Sequence, residues 1–178
     1  MSPSAFASSG KPAAESAKSN FGEKIIDIQA VSSDVVLKIQ PAAWKEIHAF
    51  LKSEGFDMLV SISAVDWIKE NIMWIVSHLS DTNKQRRISV KTDVPRDAAR
   101  VDSLASLWRA ADWHERECFD LSGVSFAGHP DLRRILCPDD WEGHALRKDY
   151  KAPDFYHGIQ NNVNLIDLDN RPPIPEIV

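Results

Sequence analysis

The sequence predicts an α+β fold, in which an antiparallel or mixed sheet is backed by helices and followed by an extended C-terminal arm. Residues 25 to 92 contain several short runs rich in β-branched residues, and consecutive strands usually pair. Amphipathic helical patterns stand beside these runs and would cover the sheet. After Gly123 the periodicity disappears, and turn residues break the rest of the chain into short pieces.

Residues 1 to 20 predict a flexible N-terminal tail, because they are rich in Ser and Ala and have no apolar core typical of a secretory signal. Ile25 to Val31 and Val35 to Ile39 then predict a β-hairpin. A helix should follow, since Pro41 suits a first turn. Its inward face would carry Trp44, Ile47, His48 and Leu51, and Gly55 is placed to end it.

Further strands of the sheet are predicted over Met58 to Ala64, Ile72 to Ser80 and Arg86 to Thr92. The second of these would carry Trp74 and Val76 on one side and Met73, Ile75 and Leu79 on the other. In the third, Ile88 and Val90 alternate with polar residues, which is typical of a strand with one wet face.

Helices are predicted again before the arm begins. Ser103 is placed to cap a short helix, in which Leu104, Leu107 and Trp108 would face the sheet. A second helix, from about Asp112 to Leu121, would stop at Gly123 and carry a charged stripe on one face. We therefore expect an α+β domain over residues 21 to 122 and a partner-binding arm over residues 123 to 178.

Composition excludes several classes of protein. The net charge of −5 argues against a free nucleic-acid binder, which would carry a basic face. The longest apolar stretches, Met58 to Val65 and Ile72 to Leu79, fall far short of the roughly 20 residues that span a bilayer. Cys118 and Cys137 are the only cysteines, so the chain alone lacks the four thiolates that an Fe–S cluster usually draws.

The segment from Trp113 to Tyr150 is the richest in chemistry-bearing residues. It lacks apolar periodicity but contains aromatic residues, which predicts that contacts outside its own domain keep it ordered. Its residues include Glu115-Arg116-Glu117, Asp120, Gly123, Phe126, Gly128-His129, Leu132, Arg134-Ile135, Gly143-His144 and Leu146-Arg147-Lys148-Asp149. In these residues the chain resembles the 30 kDa-type subunit of the proton-pumping NADH:quinone oxidoreductase, respiratory complex I.

This resemblance implies a non-catalytic scaffold subunit of the peripheral arm, with no NADH oxidation of its own. The chain would bind no cofactor, because flavin, Fe–S clusters and quinone would belong to partner subunits. It would dock chiefly on the quinone-site subunit and support electron transfer from NADH to quinone coupled to proton translocation. It would lie peripherally on the cytoplasmic side of the cell inner membrane, or on the equivalent side of an organelle membrane.

The candidates for the partner interface are Glu115, Arg116, Glu117, Asp120, His129, Arg133, Arg134, Trp141, His144, Arg147, Lys148 and Tyr150. Either Arg133 or Arg134 should pair with a partner carboxylate, because a guanidinium binds a carboxylate in two places. An internal pair with Glu115 or Glu117 is the alternative. Trp141 and Tyr150 would either anchor the arm on a partner or pack in the core.

Other interpretations stay open. Cys118, Cys137, His129 and His144 are residue types that bind zinc, but no two of them form a close pair. Glu115, Glu117 and Asp120 beside His114 could form an acid–base group, although a solvated or docked helix face is simpler. The whole chain could also be the equivalent subunit of a related membrane-bound hydrogenase, or a free-standing metal-dependent enzyme that uses His129 and His144.

Overall fold

The computed structural model describes residues 10 to 31 and 34 to 160. Its central element is a five-stranded sheet with the strand order β1-β2-β5-β4-β3. The strands are β1 (Ile25–Val31), β2 (Asp34–Ile39), β3 (Met58–Trp67), β4 (Ile72–Asp81) and β5 (Arg86–Pro95). Neighbouring strands run antiparallel except β2 and β5, which are parallel. The predicted α+β class with a mixed sheet is confirmed.

Helices α1 (Lys11–Phe21), α2 (Trp44–Ser53) and α3 (Arg109–Ser122) accompany the sheet. The predicted inward face of α2 is confirmed, because Trp44, Ile47, His48 and Leu51 are all buried. The predicted hairpin is also confirmed, as is the alternation along β4, where Met73, Ile75 and Leu79 are buried. No helix in the described ranges has the length and apolar character needed to cross a membrane.

The structure differs from the flexible tail predicted over residues 1 to 20. Residues 11 to 20 belong to α1, which buries Ala13, Ala14 and Ala17 and contacts α2 and the first two strands. These small side chains allow close approach, and a Cβ on the preceding Gly10 would lie only 2.4 Å from the carbonyl oxygen of Arg87. Residues 1 to 9 lie outside the described residues.

The helix predicted after Ser103 is a single turn instead. Trp108 N–H donates to the carbonyl of Leu104, and both of these side chains are buried, as predicted. At the start of this turn, Glu115 of α3 accepts hydrogen bonds from the Ser103 hydroxyl and the Leu104 N–H. This carboxylate therefore satisfies an N–H group that would have no partner even at the start of a helix.

The chain after α3 returns to the domain before it becomes irregular. Gly123 ends α3 with φ +76°. The strand that follows, β7 (Ser125–Ala127), pairs in parallel with β6 (Arg100–Asp102), which precedes α3 in the chain. Residues 128 to 150 then contain no helix or strand, and we call them the irregular segment. A short hairpin follows, formed by β8 (Phe155–Tyr156) and β9 (Ile159–Gln160). The part of the predicted arm from residue 161 to 178 lies outside the described residues.

Candidate functional site

Asp120, in the last turn of α3, holds the middle of the irregular segment. Its buried Oδ2 accepts hydrogen bonds from the backbone N–H groups of Ile135 (3.1 Å), Leu136 (2.8 Å) and Cys137 (2.8 Å). Its Oδ1 accepts a fourth from Arg134 Nη1 at 2.6 Å. Burial alone would raise the pKa of Asp120, but these four donors outweigh it and lower that pKa to about 2.

Arg134 joins three parts of the chain. Besides the Asp120 carboxylate, its guanidinium binds the carbonyl oxygens of Trp141 (2.9 Å) and Gly143 (3.1 Å) through Nη2. Of the two interpretations of this arginine, the structure therefore shows the internal pair, but with Asp120 rather than Glu115 or Glu117. The donors around this carboxylate leave it no place for a second charged partner.

The remaining arginine candidates have different surroundings. Arg116 of α3 is buried and donates to the carbonyl oxygens of Arg133 (3.3 Å) and Arg134 (3.1 Å). The Arg133 side chain points into solvent, since 69% of it is exposed, and it pairs with nearby Asp131 at 2.8 Å. Arg116 is therefore structural, while Arg133 remains available at the surface.

The C-terminal end of α3 is covered by the end of the irregular segment. His144 Nδ1 donates to the carbonyl of Asp120, Leu146 N–H to that of Leu121, and Arg147 Nε to that of Ser122, at 2.8 to 2.9 Å. These bonds satisfy carbonyl groups that a helix leaves without partners at its end. Gly123 is required here, because a Cβ at this position would lie 2.6 Å from the His144 ring.

A second buried carboxylate holds the last residues of the irregular segment. Asp66, near the end of β3, makes two bonds with Arg96 (2.7 and 2.9 Å) and accepts the Lys148 N–H at 2.8 Å. Arg96 also pairs with Asp149. The hydrogen bonds from Arg96, against the opposing effect of burial, hold the pKa of Asp66 below its usual value. Sequence analysis missed Asp66 and Arg96, since no local pattern links them to residues 148 and 149.

Glu115 and His129 lie in a third buried cluster. Glu115 Oε1 accepts the Leu104 N–H and Oε2 the Ser103 hydroxyl, both at 2.6 Å, and burial raises the pKa of Glu115 to about 7. The buried ring of His129 lies 3.9 Å from this carboxylate. Its Nδ1 accepts the Asp131 N–H at 3.0 Å, which leaves Nε2 to carry the proton.

The structure does not bring together the residues of the zinc or acid–base interpretations. His144 binds the Asp120 carbonyl, and the Cys118 thiol donates to the carbonyl of Ile62. Within the described residues, no group of three or more His, Cys, Asp and Glu side chains is arranged to hold a metal ion. Glu117 is exposed, whereas Glu115 and Asp120 bind separate sets of backbone groups.

The prediction that outside contacts order this part of the chain is wrong for the irregular segment, which α3, β3 and Arg96 hold in place. Its outer surface nevertheless remains apolar in part. The exposed large side chains around α3 are Trp113 (61% exposed), Leu136 (63%) and Leu146 (58%). Among the other candidates, Glu117, Arg133 and Lys148 are exposed, while Trp141, His144, Arg147 and Tyr150 are half-buried.

Known proteins resemble this chain over a range that includes both the central sheet and the irregular segment. The sequence model of the family "Respiratory-chain NADH dehydrogenase, 30 Kd subunit" matches residues 37–156. The chain is 44% identical over 121 residues to a NADH-quinone oxidoreductase subunit of Chlorobium phaeobacteroides, and the match covers 66% of this chain and 73% of that protein. It is 36% identical over 147 residues to the identically named protein of Chloroherpeton thalassium, a match that covers 80% of this chain and 61% of that protein.

Two solved structures are similar as well. The trypsin-resistant fragment (1-134) of Nqo5 matches with a TM-score of 0.60 and 26% identity, over 68% of this chain and 98% of the fragment. A chain of the membrane-bound sulfane sulfur reductase, an archaeal respiratory membrane complex, matches with a TM-score of 0.71 over 80% of this chain and 85% of its own length. At 24% identity this second match shows the fold alone. The matched sequence family, together with the confirmed fold, establishes that the chain belongs to the 30 kDa subunit family of the respiratory-chain NADH dehydrogenase.

Proposed function

We propose that the chain is a non-catalytic scaffold subunit of the peripheral arm of an NADH-quinone oxidoreductase, and that it docks through the irregular segment on the subunit that contributes to the quinone site. The irregular segment carries this proposal, because Asp120 and Arg134 fix its backbone while Leu136 and Leu146 remain exposed. Exposed apolar side chains on a fixed backbone favour docking, since little conformational entropy remains to be lost.

In this role the chain would hold other subunits in position. Flavin, Fe–S clusters and quinone would be bound by those subunits, which would carry electrons from NADH to quinone and couple the transfer to proton translocation. The surroundings of Cys118 support this division of work, because its thiol donates to the Ile62 carbonyl and belongs to no group of metal-binding side chains in the described residues. The complex would hold the chain peripherally on the cytoplasmic side of the membrane, or on its equivalent in an organelle.

The same fold occurs in a different respiratory membrane complex, the archaeal sulfane sulfur reductase. An equivalent subunit of a related hydrogenase complex would therefore need no change of architecture. The NADH-linked role is favoured because several relatives at 33 to 47% identity are named as subunits of NADH-quinone oxidoreductase.

The proposal is tested by replacing the exposed leucines in the full complex. A tagged chain with Leu136→Asp and Leu146→Asp should fold normally, because both side chains are mostly exposed. It should be absent from the complex purified from membranes, and NADH:quinone activity of those membranes should be lost. The matched control is Ile26→Asp, which alters an exposed apolar side chain on the far edge strand β1. Normal incorporation of the double variant would refute docking through this surface.

A further inference from the structure

A cavity of about 220 Å³ lies beside the end of the irregular segment. Its lining includes four aromatic rings, two carboxylates and one imidazole, those of Trp141, Tyr150, Phe155, Tyr156, Asp140, Glu142 and His157. The Trp141 ring centroid lies 6.2 Å from that of Tyr150 and 5.7 Å from that of Tyr156. The cavity therefore combines aromatic surface with negative charge.

The cavity is built on the same contacts that fix the irregular segment. Arg134 binds the carbonyl oxygens on both sides of Glu142, those of Trp141 and Gly143. Gly143 has φ +79°, and a Cβ there would lie 3.3 Å from the Tyr150 ring, so glycine allows this ring to pack closely. On the other wall, the Tyr156 hydroxyl donates to Asp140 at 2.9 Å. The rings are thus positioned before any ligand arrives.

The chain itself balances only part of the negative charge of the cavity. The Tyr156 hydroxyl lowers the pKa of Asp140, which is consequently ionised near neutral pH, and His157 lies 2.8 Å from it. The Glu142 carboxylate is exposed and has no hydrogen bond or ion pair with any residue that the structure describes. A cation is therefore the complementary ligand.

The aromatic rings of the cavity also lack the Lys or Arg partner that some other rings of the chain have, although His157 contacts the Tyr156 ring. Lys or Arg side chains of this chain lie over the rings of Phe21, Phe56, Trp74, Trp108 and Trp113. In the described part of the chain, none lies over Trp141, Tyr150 or Tyr156. The indole N–H of Trp141 and the hydroxyl of Tyr150 are buried and have no hydrogen-bond partner there either.

We infer that this cavity receives an arginine side chain from a partner subunit. The guanidinium stacks on the aromatic rings and pairs with Glu142 and Asp140, because its planar, weakly hydrated cation suits both surfaces. That this arginine belongs to a partner subunit rests on the proposed function.

The first test uses the full chain alone. Nα-acetyl-arginine methylamide is titrated against chain labelled with ¹⁵N at tryptophan, and the indole signal of Trp141 is assigned with the Trp141→Phe variant. We expect this signal to shift on binding, and the uncharged citrulline analogue to bind at least about tenfold more weakly. An equal response to both compounds, or a Trp141 signal unchanged up to the solubility limit of the arginine probe, would overturn the inference.

The second test uses the assembled complex. Glu142→Lys chain competes with wild-type chain for incorporation, and Glu15→Lys, an exposed acid on α1, is the matched control. We expect incorporation of Glu142→Lys to fall at least about tenfold with an unchanged melting temperature, while the control competes equally. Equal incorporation of Glu142→Lys would overturn the arginine site but leave the docking proposal intact. If wild-type chain itself failed to enter the complex, the proposed function would fail instead.

Discussion

Asp120, Asp66 and Glu115 are buried carboxylates that each accept a backbone N–H from another part of the chain. A carboxylate is costly to bury unless hydrogen bonds replace its lost hydration. In this protein the replacement donors come mostly from segments without helix or strand. These single residues therefore supply the order that secondary structure supplies elsewhere.

Replacing Asp120 by Asn should show how much the irregular segment depends on one charge. The amide would turn its donor group toward either the backbone N–H groups or Arg134, and in both cases Arg134 would lose its counter-ion. We expect the free energy of unfolding to fall by about 3 to 5 kcal/mol, as measured by urea denaturation. Arg134→Glu should also lower the melting temperature, because its partner is internal.

The control for both variants is Asp131→Asn, which removes an exposed pair with Arg133. Exposed pairs contribute little, so its unfolding curve should match that of the wild type. Wild-type stability in Asp120→Asn would show that the backbone of residues 135 to 137 is held by something other than this carboxylate.

Glu115 should make stability depend on pH in the acid-to-neutral range. In the unfolded chain a glutamate ionises near pH 4.3, whereas burial raises the pKa of Glu115 to about 7 in the folded protein. Between these values the folded state binds the extra proton, so stability falls as pH rises and levels off above pH 7. Asp120 has the opposite effect at acidic pH. Its pKa is lowered in the folded protein, so the stability that its ionised form contributes is lost as pH falls toward about 2.

The comparison that isolates this effect is wild type against Glu115→Gln, with urea unfolding measured at pH 4.5 and pH 8. The difference in stability between the two proteins should shift by a few kcal/mol in favour of the glutamine variant at the higher pH. A difference that did not change with pH would mean that Glu115 is already ionised in the folded protein.

At the scale of elements, the period-two patterns allowed β1 to β5 to be predicted and the helical pattern allowed α2, because one buried face fixes the side-chain periodicity of each. The short strands β6 to β9 were not predicted, and other features escaped prediction for different reasons. α1 buries only alanines, so its sequence shows almost no apolar stripe. The turn after Ser103 is bound by Glu115, and the irregular segment is held by Asp66 and Asp120, which are distant contacts rather than local propensities.

The candidate site was also predicted only in part. The residue types and the interval from 115 to 150 were identified, but the roles of Asp120 and Arg134 were not. Their pairing depends on how the chain after Gly123 folds back on α3, and a sequence without periodicity carries no signal for that path.

Helix α3 also protects the free side of β3. This strand pairs only with β4 in the described sheet, and the Cys118 thiol of α3 donates to the Ile62 carbonyl on its other side. Covering an edge strand in this way removes a template for unwanted pairing with another chain.

Glycines 123 and 128 offer a matched test of how closely the irregular segment approaches α3. Both have positive φ, +76° and +77°, but only at Gly123 would a Cβ clash with His144, while the space beside Gly128 is open. Gly128→Ala should cost about 1 to 2 kcal/mol of backbone strain. Gly123→Ala should cost clearly more and speed hydrogen exchange at residues 144 to 148. Equal losses for the two variants would contradict the close packing of His144.

For the molecule as a whole, the scaffold role predicts a chain without chemistry of its own. The purified chain should contain no flavin, iron or tightly held zinc, because a cluster needs more thiolates than two cysteines provide. It should not oxidise NADH. Visible spectroscopy and elemental analysis measure this directly, and about one metal per chain after washing with chelator would contradict the scaffold role.

The contact between Asp66 and the Lys148 N–H joins residues 82 positions apart, which has a consequence for the time course of synthesis. At about 5 to 20 residues per second, a ribosome delivers Lys148 roughly 4 to 16 s after Asp66. During that interval the sheet can already form, but the last part of the irregular segment has no anchor. We expect the docking surface to appear only after Lys148 has emerged, so that shorter nascent chains offer partner subunits nothing to recognise.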